Sequence, residues 1–534
     1  MIGSLGKGRL RRFAAPLCAL GLVAGAAVAR LCVLGALLPS SLFVLGAFLP
    51  PAALAQDLVV MLEAAPQTLD PVYATDATGV RISHQLLFDT LLTLGDDLQT
   101  APGLAERWER LSPTRYRFHL KAGVTFHDGT PLTAEDVVYT LRSLMAPETA
   151  SPYGPALREK IAAVIALDAA TVEVELSAPY ASILSDLALP IRSRNAGPDR
   201  PLLGTGPFRF AGRSPNQIVL ERNGAYHRGP PGVARVVFKV VSDESTRLLK
   251  LRKGDIDLAI NAVPLDKLAR FQRPPLSRNY KVLEAPGLSY QYLGFNLEDP
   301  VLADARVRRA IAHAIDVDAL IHYRQRGHSF RAVGLLSPTN PFALAGAVPP
   351  AYDPELAARL LDDAGHPLRD GRRFALTYKT STDRSAVVQA RAVQSDLRKV
   401  GIELAVRSYE WGTFYEDVQK GNFQMFSLRW VGVSDPDFFY ELFHSSRMPP
   451  AGRNRVRYRE PEVDRLLERG RVTADPEARR EIYDAVQRAL LRDLPYVSLW
   501  HNNNIAVVSR MLSGFRLHPT GGFHYLPDVR KAER

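Results

Sequence analysis

The most constraining feature of the sequence is a strand–helix–strand unit between residues 374 and 406. Phe374–Tyr378 has the pattern of a short strand, residues 385–400 have helical spacing, Gly401 ends the helix, and Ile402–Val406 repeats the strand pattern. Two strands joined by a helix of this length pair in parallel, with a right-handed crossover. The unit therefore predicts an α/β fold, in which helices cover a sheet.

The same alternation of strands and helices extends over most of the chain after residue 57. Thr133 and Asp136 predict a capped helix start, and Gly254 predicts the end of a helix over 243–253. An Asp-Pro-Glu sequence opens two more helices, at Asp353 and Asp475. Together these patterns predict mixed sheets. Further strands are predicted at Leu58–Leu62, Tyr116–Leu120, Val124–His127, Val172–Leu176 and Ile256–Ile260, and a helix at 79–94.

The first 55 residues predict export. Four basic residues precede an almost wholly apolar stretch from Phe13 to Leu49, and Ala53-Leu54-Ala55 has the spacing of a signal-peptide cleavage site. We expect cleavage after Ala55 and a periplasmic mature protein. The stretch is also long enough for one or two membrane-spanning helices, which stay an alternative. A start codon assigned too far upstream and twin-arginine export through Arg11-Arg12 are further alternatives.

The composition after residue 55 excludes several classes of protein. Both cysteines, Cys18 and Cys32, lie in the leader, so the mature chain has neither a disulfide framework nor a cysteine-rich zinc site. The leader carries five basic residues and no acid, so its removal lowers the formal net charge from +11 to +6. The densest basic run, 447–459, holds five arginines and one aromatic residue. We interpret it as a solvated loop and expect no nucleic-acid partner.

Motifs of nucleotide-binding and hydrolytic enzymes are missing from the sequence. It contains no H-E-x-x-H, G-x-S-x-G, G-x-x-x-x-G-K or G-x-G-x-x-G pattern. Gly204-Thr205-Gly206 is followed by a proline, which lacks the N–H that a phosphate loop uses. The twelve histidines have no ligand-like spacing. We therefore predict neither an enzyme nor a metal or cofactor site.

Several segments, in order, resemble one known family. Residues 101–108 read A-P-G-L-A-E-R-W, residues 116–129 read Y-R-F-H-L-K-A-G-V-T-F-H-D-G, and L-T-A-E-D-V follows at 132–137. This region resembles the signature of the family 5 extracellular solute-binding proteins, the dipeptide- and oligopeptide-binding proteins of ABC importers. The resemblance continues at Gly204–Phe208, Asn296, Asp304–Asp316, Tyr352–Gly365, Gly421, Trp430, Asp435–Asp437 and Leu494–Tyr496.

This resemblance implies a bilobal, type II periplasmic-binding-protein-like fold with an additional domain, mixed sheets and a ligand cleft between the lobes. Two hinge strands, near Ala285–Gln291 and His501–Val507, should join the lobes, which close on the ligand. The expected organisation is a first lobe of residues 56–78, 195–285 and 505–534, an additional domain of residues 79–194 packed on it, and a second lobe of residues 286–504.

The resemblance also implies how the ligand is held. In peptide binders of this family the ligand lies extended along backbone strands, like an added sheet edge. The matching strand here is Leu428–Gly432, and the loop that carries Thr75 and Asp76 should face it from the first lobe. Gly432 should allow close approach of the ligand backbone. The expected ligand-binding residues are Thr75, Asp76, Arg384, Arg429, Trp430, Val431, Gly432, Val433 and Asp435.

The groups that would bind the two ends of a peptide depart from the family pattern. Relatives that grip a free amine have an aspartate three residues after the tryptophan, where this chain has Val433. Because an apolar residue cannot pair with an ammonium, either Asp435 takes that role or the ligand is not an ordinary free-amine peptide. Asp435 could instead order its own loop. The carboxylate-binding arginine has no clean match: Thr380 lies near its place, with Lys379 and Arg384 close by.

The expected function is capture of a solute, with a peptide favoured, and its delivery to the permease subunits of an ABC importer by a monomeric protein. A family member for another solute, such as an opine, a sugar or a nickel chelate, is the alternative. An exported enzyme or a chaperone-like binding module is a third interpretation.

Overall fold

The computed structural model describes residues 57–197 and 200–532, so the predicted signal peptide lies outside the described residues. Helices and strands alternate along this part of the chain. The α-helices are Ala77–Ile82, Ala134–Met145, Gly154–Lys160, Ile183–Asp186, Glu244–Lys253, Leu276–Asn279, Ala305–Ala314, Val317–Ala319, Pro354–Asp363, Arg384–Lys399, Trp411–Lys420, Phe438–Phe443, Pro461–Val472 and Pro476–Asp493. Short 3₁₀ helices span Pro147–Thr149, Leu265–Arg270 and Ser445–Arg447, and π-helical turns span Ser83–Leu87 and Leu320–Arg324.

A mixed sheet of eleven strands organises the fold. Its strands, from one edge to the other, are Ile402–Tyr409, Phe374–Ser381, Met425–Trp430, Tyr280–Phe295, Tyr496–Ser509, Leu258–Ile260, Leu58–Leu62, Arg235–Val240, Gln217–Arg222 and Phe208–Ser214, and Ser329–Arg331 also pairs with Tyr496–Ser509. A four-stranded sheet consists of Ala105–Ser112, Arg115–Leu120, Thr171–Leu176 and Ile161–Ala166. Two-stranded sheets pair Leu92–Leu94 with Thr100–Pro102 and Leu512–Ser513 with Arg530–Lys531.

The two longest strands, Tyr280–Phe295 and Tyr496–Ser509, lie antiparallel in the middle of the large sheet, and we call them the hinge strands. They contain the two segments expected to form a hinge. Their register shifts between Pro286 and Ser289, an irregularity that increases local twist and bends a strand pair. Strands from residues 374–430 lie on one side of the pair, and strands from residues 58–62 and 208–260 lie on the other. The hinge strands therefore connect the two halves of the sheet.

Apolar residues fill both faces of the sheet. Along Leu58–Leu62, the residues at 58, 60 and 62 belong to one buried cluster and Met61 belongs to another. Successive side chains of a strand point to opposite faces, so this continuous apolar run is buried on both sides. The predicted strand–helix–strand unit is confirmed: Phe374–Ser381 and Ile402–Tyr409 pair in parallel, joined by the helix Arg384–Lys399.

A separate buried cluster consists of Val72 and of residues between positions 91 and 191. There the helix Ala134–Met145 covers the four-stranded sheet and shares its core. Two elements precede it in the chain, the α-helix Ala77–Ile82 and the π-helical turn Ser83–Leu87. Their buried residues belong instead to the cluster that contains Leu58. The chain thus passes from one buried cluster to the other after residue 88.

Three sequence predictions of secondary structure are wrong in extent. The helix expected over 79–94 ends at Leu87, because the next residues turn to place the buried Asp89 against Tyr226 and Thr205, which are distant in sequence. The strand expected at Val124–His127 is a turn with a single bridge between Thr125 and Pro131. The strand expected from Ile256 begins at Leu258.

The family-like segment Gly204-Thr205-Gly206 has a packing role. A Cβ atom added to Gly204 or Gly206 would lie 2.1 or 2.5 Å from the backbone oxygen of Leu87 or Leu86, respectively. The hydroxyl of Thr205 donates to the carboxylate of Asp89 at 2.9 Å. The glycines therefore let two chain segments approach more closely than any other residue allows.

Other family-like segments also hold the fold together. The buried guanidinium of Arg308 donates to the backbone oxygens of Leu302, Ala303, Asp493 and Leu494. It thereby fastens the segment 304–316 to the segment 494–496. Burial lowers the pKa of Arg308, but the four carbonyl groups satisfy its donors.

Candidate functional site

The candidate site lies where two neighbouring strands of the large sheet separate. Met425–Trp430 pairs along its whole length with the hinge strand Tyr280–Phe295, but it pairs with Phe374–Ser381 only at Met425 and Phe426. From Ser427 and Thr380 onward, the facing edges have no ladder partner within the described residues. Backbone N–H and C=O groups along such edges are available to an extended ligand.

A cavity of about 880 Å³ is found elsewhere, beside the helix Ala77–Ile82, but a second cavity of about 390 Å³ lies at the separated strands. We place the candidate site at the second, because open strand edges and charged side chains meet there. Its wall includes Gln291, Arg324, Tyr378, Thr380, Asp383, Ser385, Gln389, Trp411, Ser427, Arg429 and Val431.

Arg324 contributes a guanidinium to this wall. It is the last residue of the π-helical turn Leu320–Arg324, an irregularity found frequently at functional sites. Its Nη2 atom donates to the hydroxyl of Ser385 at 2.6 Å and to the backbone oxygen of the same residue at 3.2 Å. The guanidinium lies 5.3 Å from the ring centroid of Trp500. Burial lowers the pKa of Arg324, and the charge of Asp383 in the same wall opposes that lowering, although no carboxylate within the described residues lies within ion-pair distance of Arg324.

Polar side chains beside Arg324 are held by one another. The Nε2 atoms of Gln291 and Gln389 each donate to the hydroxyl oxygen of Ser427 at 2.8 Å, and that hydroxyl donates to the backbone oxygen of Tyr292 at 2.6 Å. Burial raises the pKa of the neighbouring Tyr378 to about 12, so its hydroxyl stays protonated at neutral pH. This side of the cavity is therefore polar, uncharged and fixed in geometry.

Two of the predicted ligand-binding residues, Arg429 and Val431, line the cavity. Both are exposed, and Arg429 has no ion pair among the residues that the structure describes. Trp430 lies between them and points the other way, as alternation along an extended chain requires. Its ring stacks on Tyr292 with centroids 6.1 Å apart, and the guanidinium of Arg455 lies 4.5 Å from it. Trp430 thus supports the site from inside the core.

The next two predicted residues have different roles. Gly432 is exposed with a φ of +73°, a conformation that favours glycine. Val433 has an exposed fraction of only 4% and belongs to the aromatic-rich core around Tyr290. The side chain of Val433 is therefore unavailable to a ligand, contrary to its inclusion among the expected contacts.

Asp435 is held by side chains from two parts of the chain. Its Oδ1 accepts from the hydroxyl of Ser182 at 2.8 Å, from the backbone N–H of Asp437 at 2.8 Å, and from Nη2 of Arg479 at 3.2 Å. Its Oδ2 accepts from the hydroxyl of Ser185 at 3.1 Å. One of these bonds lies within its own loop, as the loop-ordering alternative expects, and the other three join that loop to residues 182–185 and to Arg479. Together they occupy both carboxylate oxygens.

The remaining predicted residues lie outside the cavity wall. Thr75 is exposed, and Asp76 caps the helix Ala77–Ile82, with its oxygens accepting from the backbone N–H groups of Gly79 and Gln67. Arg384 is exposed at the first position of its helix. Of the residues considered for carboxylate binding, Thr380 lines the cavity.

The basic run 447–459 is not the solvated loop that its composition predicts. Arg455 has an exposed fraction of 6% and donates to the hydroxyl of Tyr415 at 2.8 Å. Arg447 forms an ion pair with Glu159 at 3.2 Å. These arginines pack on aromatic rings and acids, which residue counting along a segment cannot reveal.

Sequence reasoning missed Arg324 and Trp411. Arg324 lies in no recognisable motif, and Trp411 follows the helix-capping Glu410 as an ordinary first helical residue. The side chain of Trp411 is 54% exposed, and its ring stacks on Tyr415 with centroids 5.7 Å apart. In the sequence, the only signal is a tryptophan placed directly after a helix-capping acid, and its exposure is known from the structure.

A sheet continued through two hinge strands, with open strand edges beside a cavity, defines the class of hinged solute-binding proteins. The family described as "Bacterial extracellular solute-binding proteins, family 5 Middle" matches residues 99–449. The chain belongs to this family, which confirms the resemblance in the sequence motifs.

Similar proteins cover nearly the whole chain. The dipeptide-binding protein of Escherichia coli (strain K12) is 28% identical over 510 residues, covering 88% of this chain and 94% of the relative. HbpA2 from Haemophilus parasuis shares the fold with a TM-score of 0.81 and 24% identity, covering 90% of this chain and 100% of that structure. The oligopeptide-binding protein AppA from Bacillus subtilis, in complex with a nonapeptide, has a TM-score of 0.72 and 26% identity, covering 90% of this chain and 100% of that structure. These likenesses confirm the expected fold class.

No helix within the described residues is long and apolar enough to cross a membrane. Among the same residues, no group of three or more His, Cys, Asp or Glu side chains is arranged to hold a metal ion.

Proposed function

We propose that this solute-binding protein captures a peptide between its lobes and delivers it to the permease subunits of an ABC importer. The observation that carries the proposal is the separation of Met425–Trp430 from Phe374–Ser381, which leaves two strand edges facing one cavity. A peptide main chain has donors and acceptors at the spacing that such edges require. Affinity can then come from backbone pairing, with little dependence on the side chains of the ligand.

The names of similar proteins support a peptide ligand. One relative is a dipeptide-binding protein, and one similar structure holds a nonapeptide. We propose the same ligand class here, with a role in binding rather than catalysis, in the periplasm, as a monomer. The leader up to Ala55 would direct export and be cleaved.

We propose the lobes at their expected boundaries, with one change. The first lobe is formed by residues 56–90, 195–285 and 505–534, and the second lobe by residues 286–504. The additional domain begins near residue 91 rather than 79, because residues 82–88 pack in the core of the first lobe. The protein would exist in an equilibrium between open and closed forms related by movement about the hinge strands, and ligand binding would shift it toward the closed form.

Calorimetric titration of the protein purified from the periplasmic fraction tests the peptide assignment. The probes are alanine peptides of two to five residues, each compared with peptides N-methylated at a single backbone nitrogen. N-methylation removes one donor, so it should weaken binding at the positions that pair with a strand edge and leave the other positions nearly unchanged. Equal affinity for every methylated peptide would contradict backbone pairing, and absence of binding to all peptides would contradict the function.

Two further measurements test export and closure. N-terminal sequencing of the periplasmic protein should begin at or near Gln56, and a full-length species that resists alkaline washing of membranes would contradict cleavage. Small-angle scattering should give a smaller radius of gyration with saturating peptide. An unchanged radius would contradict closure, because only a closed form brings both lobes onto the ligand.

A further inference from the structure

Side chains from three chain segments meet beside the register shift of the hinge strands. Oε1 of Glu284, in the first hinge strand, accepts from Nδ2 of Asn503 in the second at 2.6 Å, and Oε2 lies 3.0 Å from Nδ1 of His328. An ionised carboxylate only accepts, so Nδ1 of His328 is the donor. The backbone N–H of Asn503 donates to the carbonyl oxygen of His328 at 3.3 Å. Glu284, His328 and Asn503 thus close a ring of three contacts, which we call the hinge strap.

The hinge strap crosses from one lobe to the other. Glu284 lies in the first lobe at the proposed boundary, and His328 lies in the second, in the loop that follows the π-helical turn Leu320–Arg324. We propose that the hinge strap stabilises the closed form of the protein, so that its three residues raise the affinity for ligand without touching the ligand. The inference rests on the proposed closure about the hinge strands and identifies positioning residues for it.

Contacts between the bodies on the two sides of the hinge indicate which form carries the strap. The additional domain shares a buried cluster with Val72 of the first lobe. It also contacts the second lobe: the backbone N–H of Ala181 donates to the backbone oxygen of Arg471 at 2.6 Å. Glu159 forms an ion pair with Arg447 at 3.2 Å across the same boundary. The lobes are therefore apposed in this structure, and the hinge strap belongs to the closed arrangement.

The hinge strand that carries Asn503 is held on both sides of that residue. Nδ2 of Asn502 donates to the hydroxyl of Ser329, in the second lobe, at 3.3 Å. Nδ2 of Asn504 donates to the backbone oxygen of Pro519, in the first lobe, at 2.6 Å. Movement between the lobes must therefore be taken up around Asn503, where the strap adds its contacts.

The bond between Glu284 and His328 depends on pH. Within the described residues, Glu284 is the carboxylate at ion-pair distance from His328. Arg326, on the same loop, acts electrostatically on Asp266, which forms an ion pair with Lys267. An imidazolium donates a stronger hydrogen bond to a carboxylate than a neutral imidazole does, and imidazoles change charge between pH 5 and 8. The strap should therefore weaken as His328 loses its proton, so the affinity for ligand should fall as the pH rises.

Energy transfer between two fluorophores measures closure without a ligand. The mature chain has no cysteine, so Leu249→Cys and Val348→Cys, at exposed positions of the first and second lobe, provide the labelling sites. In single molecules at pH 6, Glu284→Gln should lower the closed fraction about threefold, the effect of one partly exposed ion pair. Its affinity for alanine peptides should fall by the same factor, because apparent affinity scales with the population of the binding-competent form.

Further variants separate the strap from a general loss of structure. His328→Asn keeps a donor in the place of Nδ1 but carries no charge, so its closed fraction should be equal at pH 6 and pH 7.5, whereas that of the wild type should fall. Asn503→Asp sets a second carboxylate against Glu284 and should lower the closed fraction, and adding Glu284→Gln should restore most of it. The matched control is Glu109→Gln, which breaks a comparable pair with His119, 3.1 Å apart in the additional domain. It should close and bind as the wild type does.

Three results would overturn the hinge strap while leaving the peptide function standing. They are a wild-type closed fraction in Glu284→Gln, an equal loss in Glu109→Gln, and a pH dependence in His328→Asn that matches that of the wild type. Failure of all alanine peptides to bind would instead overturn the proposed function, and the closed fraction of the ligand-free protein would still decide whether the strap holds the lobes together.

Discussion

Replacing Asp435 by asparagine should destabilise the fold without removing a ligand contact. Asp435 joins the segment Ser182–Ser185 to Arg479, and the next acid, Asp437, makes a parallel connection. The hydroxyl of Tyr180 donates to Asp437 at 3.0 Å. The two acids thus form a polar interface between residues 180–186 and residues 435–479.

The expected loss of unfolding free energy follows from the burial of Asp435 and Arg479. The side chain of Arg479 is 8% exposed and that of Asp435 is 23% exposed, so their ion pair is largely shielded from water. Removing one partner of a fully buried pair costs about 3–5 kcal/mol. Asparagine keeps one acceptor oxygen, and Arg479 keeps Ser182 and the backbone oxygen of Gly470 as acceptors. We therefore expect the free energy of unfolding to fall by about 2 kcal/mol.

Urea denaturation and calorimetric titration of the same Asp435→Asn protein measure stability and affinity separately. The control is Asp484→Asn, whose partner Arg488 lies 3.6 Å away with its side chain 65% exposed, a surface pair worth less than about 1 kcal/mol. The double variant Asp435→Asn, Arg479→Met should be less destabilised than the sum of the single variants. Unchanged stability together with at least about tenfold weaker peptide binding would refute this reasoning and make Asp435 a ligand contact.

Three further predictions concern the core and pH. Gly206→Ala should lower the melting temperature strongly, because its Cβ would lie 2.5 Å from the backbone oxygen of Leu86; normal melting would contradict this close approach. Arg308→Met should also lower the unfolding midpoint in urea, since four carbonyl acceptors lose their donor; an unchanged midpoint would contradict that role. Burial lowers the pKa of His501 to about 4, against about 6.5 in the unfolded chain. Between these values the unfolded state binds a proton that the folded state does not, so stability should fall as pH decreases from 6.5 to 4, and less steeply in His501→Gln. An unchanged slope would exclude His501 as a cause.

Helices and strands in which apolar residues recur with a strong local periodicity could be predicted from the sequence. The strand Leu58–Leu62 and the helix Pro476–Asp493 carry their own apolar pattern and start signal, and both form as expected. The helix predicted over 79–94 ends at Leu87, because Asp89 is held by Thr205 and Tyr226 and residues from 92 onward pair with the strand Thr100–Pro102. Tertiary pairing of that kind leaves no mark on local periodicity.

The candidate site depends even more on long-range geometry. Met425–Trp430 is recognisable as a strand, but its open edge exists only because Phe374–Ser381 diverges from it after Lys379. No pattern within either strand encodes that divergence. Arg324 reaches the same cavity from a turn about a hundred residues earlier in the chain, without a motif of its own.

The residues that carry the family resemblance are not the residues that line the cavity. For that reason, family membership identifies the class of protein but not its solute. The segments that carry the resemblance, such as Gly204–Gly206 and Arg308, hold backbone segments together. Any member that keeps the fold needs those contacts, whatever it binds. Arg324, Trp411 and Val431 line the cavity and hold no such backbone segments together, so they can change with the ligand while the fold persists. The charges and apolar side chains around the cavity are therefore the features that distinguish one solute from another in this chain.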